Sequence, residues 1–421
     1  PNSLQSYARD LLIWMRFLGE RRSGKSIWEA TADDIAAYHA ARRRSKPPFR
    51  ISAASWNRSI AALEKFYGWA LEEGFIEKVP FTYRRVFRRG DGAHGPVVIS
   101  HNRAREPGAR QSDMRFIGLD QFALFRDVGL RGCLPDGSED PSWRGRHGER
   151  NALFAELLLT TGMRLAEAAH LLFCELPSSE ACHDTDQRLF PFRLPAAVAK
   201  GDKARTIRLP VRLLRRLHDY AALERANAIE RFAERSAVNA KTDALSAVEA
   251  DRNMIVIVGD DGQRKRIRLD LVTPHDRRRL CNADDMNVAP AMLWLTETGA
   301  VMTPWGWAAV FRRASKRCRS FGIDIDVTPH MLRHSFAVHM LSMLIRAQLG
   351  MVMQDRSGGA AGDAAYRRMI GDPLQKLQRL MGHASITSTH IYLSSLDESR
   401  ALVDAAINDW ADALGDEETA A

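Results

Sequence analysis

The 421-residue chain has little of what marks several large protein classes. It holds five cysteines, at 133, 174, 182, 281 and 318, odd in number, scattered and with no Cys-x-x-Cys. That excludes a disulfide framework and a zinc finger and predicts reduced thiols. No uncharged apolar run of about 18 residues occurs. The longest candidate, Ala337–Met353, is interrupted by His339 and Arg346, so no membrane span is expected. The opening Pro1–Ser6 has no basic-then-apolar leader character, and the expected compartment is the cytoplasm. Lysine is scarce: ten against 51 arginines.

What is present is length, core material and uneven charge. The length is about three times a single-domain prior, so two or more domains are expected. Apolar residues make up 45% and the net charge is +9. From Asp397 onward there are eight acids and one Arg, a net of −7, which leaves +16 on residues 1–396. A body of that sign suits a polyanion, and the planar arginine fork suits phosphate. A GC-rich genome would also raise the arginine content, so charge alone does not decide.

Residues 1–82 read as a small helical domain. Leu4, Tyr7, Leu11, Trp14 and Leu18 share one helical face; Thr31–Asp34 resembles a capping box; Trp56, Ile60, Leu63, Phe66, Tyr67 and Ala70 form a second stripe before Gly74. Residues 83–113, with Arg84, Arg85, Arg88, Arg89, Arg103, Arg105 and Arg110 among four glycines, read as a mobile basic linker. Residues 114–421 read as a mixed domain. Helix is expected over Asn151–Leu172, over the charged stretch Leu213–Val248 and again from Pro304. Hairpins are expected from Leu189–Leu194 with Arg205–Leu209, and from Met254–Val258 with Arg266–Leu271. The expected class is therefore mainly α with small β-hairpins.

Gly19-Glu-Arg-Arg-Ser-Gly-Lys25-Ser26 fits the phosphate-loop pattern G-x-x-x-x-G-K-[ST]. That chemistry needs a strand before the loop and a helix after it. An amphipathic helix precedes it here, so the match is rejected. A stronger pattern lies in the second domain: Thr161-Gly-Met-Arg164-Leu-Ala-Glu167, then Lys200-Gly-Asp-Lys203, His330-Met-Leu-Arg333-His334, Leu380-Met-Gly-His383 and finally Tyr392. Taken singly, each is more often structural: an Arg at the surface, a hydrogen-bonded His, a core Tyr. Their order changes the odds.

In that order the chain resembles the tyrosine recombinase (phage integrase) family, whose pattern runs T-G-x-R-x-x-E, hairpin Lys, H-x-L-R-H, L-G-H and Tyr. Met381 inserts one residue into the L-G-H element, and Arg333 to His383 spans 50 positions, longer than in most members. Trp56-Asn57-Arg58 through Ala70 also resembles the family's helical core-binding domain. The resemblance implies a site-specific DNA recombinase that needs no metal, ATP or other cofactor. Tyr392 attacks a phosphodiester to give a 3′-phosphotyrosine, while Arg164 and Arg333 hold the nonbridging oxygens. His330 adds a hydrogen bond to the phosphate, and His383 adds another or helps deprotonate Tyr392. Lys200, or less consistently with the pattern Lys203, protonates the leaving 5′-oxygen. Glu167 and His334 support the site from behind. Asn57, Arg58, Lys65, Arg84, Arg85, Lys203 and Arg205 are candidate DNA contacts.

The implied partners are duplex DNA with a specific recombination site, three further copies in a homotetramer, and accessory recombinases. The enzyme would then lie on the nucleoid when bound. Ile407 and Trp410 would dock the terminal segment on a neighbouring subunit. Rival readings are a type IB topoisomerase or telomere resolvase of related chemistry, and a catalytically silent DNA-binding accessory protein. The complete ordered set argues against silence.

Overall fold

The computed structural model describes residues 2–47, 49–88, 97–107, 115–183, 188–238, 245–251, 254–258, 263–284, 287–356, 372–383 and 385–393. The tail bearing Ile407 and Trp410, and the insertion around residues 357–371, lie outside the described residues. The chain divides into two compact units, Pro1–Asp113 and Met114–Ala421.

The first unit packs α1 (Asn2–Arg21), α2 (Ala32–Arg43) and α3 (Ala53–Glu72) around Trp14, Tyr38, Trp56 and Tyr67, all essentially buried. The buried Trp14 indole donates to Tyr67 Oη at 2.8 Å, so the polar edges of two core aromatics satisfy each other. The pattern at 19–26, rejected on its sequence context, forms no phosphate cradle. Gly19 to Arg21 end α1, and Lys25 Nζ is held by Asp34 Oδ2 at 2.8 Å.

The stretch expected as a mobile linker is structured where described. β1 (Tyr83–Arg88) pairs antiparallel with β2 (Val97–Asn102), and residues 102–106 dock on the helices. Trp56 Nε1 donates to the Ala104 carbonyl at 2.7 Å, and Glu106 bonds Arg43 and His39. The linker reading overlooked that two β-branched or aromatic runs flanking glycines form a hairpin.

The second unit begins with α4 (Leu119–Leu124), which widens into a π-type turn to Arg131, followed by α5 (Gly148–Thr161) and the short α6 (Leu165–Ala169). A hairpin of β3 (Leu189–Leu194) and β4 (Arg205–Pro210) follows, over the expected residues, with Leu189 opposite Pro210 and Leu194 opposite Arg205. Then come α7 (Val211–Tyr220) and α8 (Ala226–Val238). The region 245–290 holds more sheet than expected. β5 (Leu245–Asp251), β6 (Met254–Val258), β7 (Arg264–Arg268), β8 (Leu280–Asp284) and β9 (Asn287–Pro290) form one five-stranded sheet in the order β7-β6-β5-β8-β9. The short helix α9 (Pro274–Arg277) lies between β7 and β8.

α10 (Pro304–Ser320), α11 (Pro329–Arg356), α12 (Pro373–Met381) and α13 (Thr387–His390) complete the unit. Its main core stacks Phe154 of α5 on Trp307 of α10 at 3.6 Å between ring centres, with Trp294 edge-on to both. The architecture is mainly helical with small strand pairs, plus the added sheet. No described helix is long and apolar enough to cross a membrane.

Candidate active site

Two sharp helix ends build the site. α5 stops at Gly162, whose φ of +64° only glycine adopts freely. A Cβ there would meet the Phe336 ring at 2.3 Å. Two residues later Arg164 starts α6, and its backbone N–H donates to Glu167 Oε2 at 2.8 Å. α12 stops in the same way at Gly382, φ +63°, which turns the chain toward His383.

The last carbonyls of a helix have no partners within it and lie at the negative end of its dipole. In α12 three successive ones receive guanidiniums. Leu380 O accepts from Arg205 Nε at 3.2 Å, Met381 O from Arg333 Nη2 at 2.6 Å, and Gly382 O from Arg164 Nη2 at 3.4 Å. Arg333 also donates to the Gly162 carbonyl. The residue inserted at Met381 thus supplies the carbonyl that holds Arg333.

Glu167, essentially buried, balances this cluster. It accepts from Arg164 Nη1 at 2.9 Å and from Arg205 Nη1 and Nη2 at 2.9 and 2.6 Å. Burial works to raise its pKa, but Arg205 and Arg164 win and hold it at about 2. Arg333 is 3% exposed; burial and the neighbouring Arg164 lower its pKa to about 9, which leaves it cationic at neutral pH.

α11 is capped by Thr328 Oγ1, which accepts from Met331 N–H at 3.2 Å, and it carries His330, Arg333 and His334 on one face. The His330 and His334 rings lie 4.2 Å apart between centres. Tyr392 follows α13 and is 2% exposed, packed among Phe336, Leu341, Leu377 and Met381. Its hydroxyl lies 3.1 Å from His334 Nδ1. The His383 ring lies nearly parallel to the Tyr392 ring at 6.1 Å, and its Nδ1 pairs with Thr389 Oγ1 at 3.0 Å. Burial pushes the Tyr392 pKa up while Arg333 and Arg164 oppose it. Burial and adjacent cationic or imidazole groups pull both His334 and His383 down to about 4, so both are neutral near pH 7. His330 is exposed, yet local desolvation and Arg333 lower its pKa as well.

The structure thus brings together Arg164, Glu167, His330, Arg333, His334, His383 and Tyr392. Lys200 and Lys203 stand exposed on the β3–β4 turn, where Gly201 and Asp202 both have positive φ. Arg205 corrects the expectation of a DNA contact. Only 8% of its side chain is exposed, and its guanidinium is engaged with Glu167 and Leu380. Asn57 is corrected likewise, because both ends of its amide pin the Glu106 backbone at 2.9 Å. Arg58 is half-exposed but forks onto the buried Asp10 at 3.0 Å, and Lys65 lies over the Tyr7 ring at 5.5 Å. Arg84 and Arg85 are exposed on β1. Sequence reasoning missed Thr389 and the inward role of Arg205. The apolar alternation of β4 was a signal for the strand, but not for its docking on α12.

The family model described as "Phage integrase, N-terminal SAM-like domain" matches residues 1–74, and that described as "Phage integrase family" matches residues 140–349. Tyrosine recombinase XerD of Mycobacterium leprae (strain TN) is 25% identical over 395 residues, covering 93% of this chain and 86% of that protein. Tyrosine recombinase XerC of Nitrobacter winogradskyi is 23% identical over 407 residues, covering 96% and 86%. Among solved structures, the XerH site-specific recombinase bound to palindromic difH substrate is 14% identical with a TM-score of 0.49, covering 96% of this chain and 78% of that one. With integrase models matched in order on both units and recombinases as full-length relatives, the chain belongs to the tyrosine recombinase (phage integrase) family.

Proposed function

We propose that the chain cuts and rejoins DNA strands at a specific site through a 3′-phosphotyrosine on Tyr392. The observation that supports this most is the gathering of Arg164 and Arg333 on adjacent α12 carbonyls, in the unit where Tyr392 Oη sits 3.1 Å from a neutral histidine. Tyr392 Oη attacks phosphorus, the bond to the 5′-oxygen breaks, and Lys200 protonates that oxygen. Arg164, Arg333 and His330 hold the nonbridging oxygens as charge grows on them. A tyrosine of free pKa roughly 10 must lose its proton. His334 shares a hydrogen bond with its hydroxyl in the resting state and, with His383, is neutral and able to take that proton. The phosphodiester energy is kept in the adduct, so religation needs no ATP.

Burial of Tyr392 means that its ring must swing outward before attack, which fits a nucleophile withheld until DNA is in place. Exposed Arg84, Arg85 and Lys203 are assigned to phosphates flanking the cut. Four protomers would pair two sites, with accessory recombinases as further partners. The SAM-like first unit favours a recombinase over a topoisomerase or telomere resolvase. A nicked suicide duplex from the flanking genome tests the reading. The unaltered chain is expected to give a covalent adduct on a denaturing gel, and Tyr392→Phe is expected to bind without forming one. An adduct in that variant overturns the assignment.

A further inference from the structure

β7 is an edge strand whose residues Arg264, Lys265, Arg266 and Arg268 are all exposed. Only Ile267 turns inward, onto the core of the added sheet. By strand alternation Arg264, Arg266 and Arg268 share the opposite face. Arg268 is neutralised by Asp270 at 2.6 Å, whereas among the described residues no acid pairs with Arg264, Lys265 or Arg266. The neighbouring strand β6, Met-Ile-Val-Ile-Val, carries no charge. Counting Asp260 and Asp261 by sequence, residues 260–268 still net +2.

The strand also lies close to the proposed chemistry. It runs directly into the turn Leu269–Leu271, which packs on Ala196–Val198. Two residues beyond Val198 stands Lys200. Arg264 to Arg268 spans about 13 Å at strand rise, roughly four base steps along a duplex. Edge strands carry charge simply to block pairing with other edges, but one or two charges of either sign serve that purpose. A run of one sign, leading to the Lys200 turn, does more.

We propose that β7 is a duplex-binding strip that takes phosphates beside the cleavage site and lengthens the DNA footprint of the catalytic unit. This rests on the reading of the chain as a DNA recombinase. The test is equilibrium binding of the full chain to random-sequence duplex DNA across a salt series. Arg264→Gln with Arg266→Gln is expected to flatten the slope of log K against log salt by about 1.8, at about 0.9 per lost contact. Arg264→Glu with Arg266→Glu keeps the edge charged, so it is expected to stay folded and unaggregated while binding more weakly still. Unchanged slope and affinity in both variants overturn the strip and leave the recombinase reading intact. Failure of the unaltered chain to bind any duplex overturns that reading, and the strip with it.

Discussion

Glu175 and Glu167 each hold a guanidinium inside the second unit, but one arginine is closed off and the other is open. Arg277 is fully buried, and its donors reach Glu175 twice at 2.8 Å and the carbonyls of Val272, His170 and Leu269. It has no capacity left for a ligand. It ties the added sheet to the α6 region. Arg164 bonds the same kind of buried carboxylate, yet its side chain is 26% exposed and its contact with Gly382 O is long, 3.4 Å. Saturation, rather than burial or charge, separates the closed pair from the one we propose to act on DNA. Arg205 sits between the two cases: it is nearly buried and gives three of its five donors to Glu167 and Leu380, which fixes Glu167 beside Arg164.

The comparison can be broken from either side. Arg277→Ala leaves the nearly buried Glu175 without its cationic partner, with only the Leu172 N–H still bonded to it, and is expected to cost about 3–5 kcal/mol of stability, measured by denaturant unfolding. Arg277→Met with Glu175→Leu should recover only part of that loss, since it removes the unpaired charge but leaves the carbonyls of Val272, His170 and Leu269 without their donor. Arg164→Ala should change stability little, because Arg205 still covers Glu167, while strand cleavage falls by about 10²–10³, some 2.7–4 kcal/mol of transition-state stabilisation. If both substitutions acted mainly on stability, the distinction would fail.

Gly162→Ala puts a side chain at φ +64° and against Phe336, and should cost about 1–3 kcal/mol while shifting the carbonyl that holds Arg333. Cleavage should drop more than stability does. A further effect concerns pH. His334 and His383 fall from 6.5 to about 4 on folding, so the unfolded chain binds their protons first as pH drops. Stability present above pH 6.5 is therefore lost as pH falls toward 4, by at most about 1.4 kcal/mol per unit for each histidine. Replacing both by Gln should flatten that part of the pH–stability curve.

The ordered site residues were legible because chemistry fixes their types and the helices fix their local spacing: His330 and Arg333 share a face whatever the rest of the fold does. The fate of Arg205 was not legible. Whether a strand arginine points at DNA or at Glu167 depends on β4 docking against α12, a contact 175 residues apart in sequence. Asn57 failed for the same reason, since its partner at 106 lay in a stretch read as open chain. The five-stranded sheet was half seen. β6 and β7 form a local hairpin, but β5 joins β8 in parallel across an intervening helix, and Ser-Ala-Val-Glu-Ala has no pattern that announces it. His334 was placed behind the site from its position after Arg333; its 3.1 Å contact with Tyr392 required the chain from 334 to 392 to fold back on α11.

Whether Tyr392 is the nucleophile is decided by the mass of the peptide that carries DNA. Trapping the full chain on a nicked suicide duplex, digesting both components and sequencing the modified peptide should place one phosphonucleotide on Tyr392, linked through the 3′ end. A modification on any other residue, or a 5′ linkage, would contradict the account.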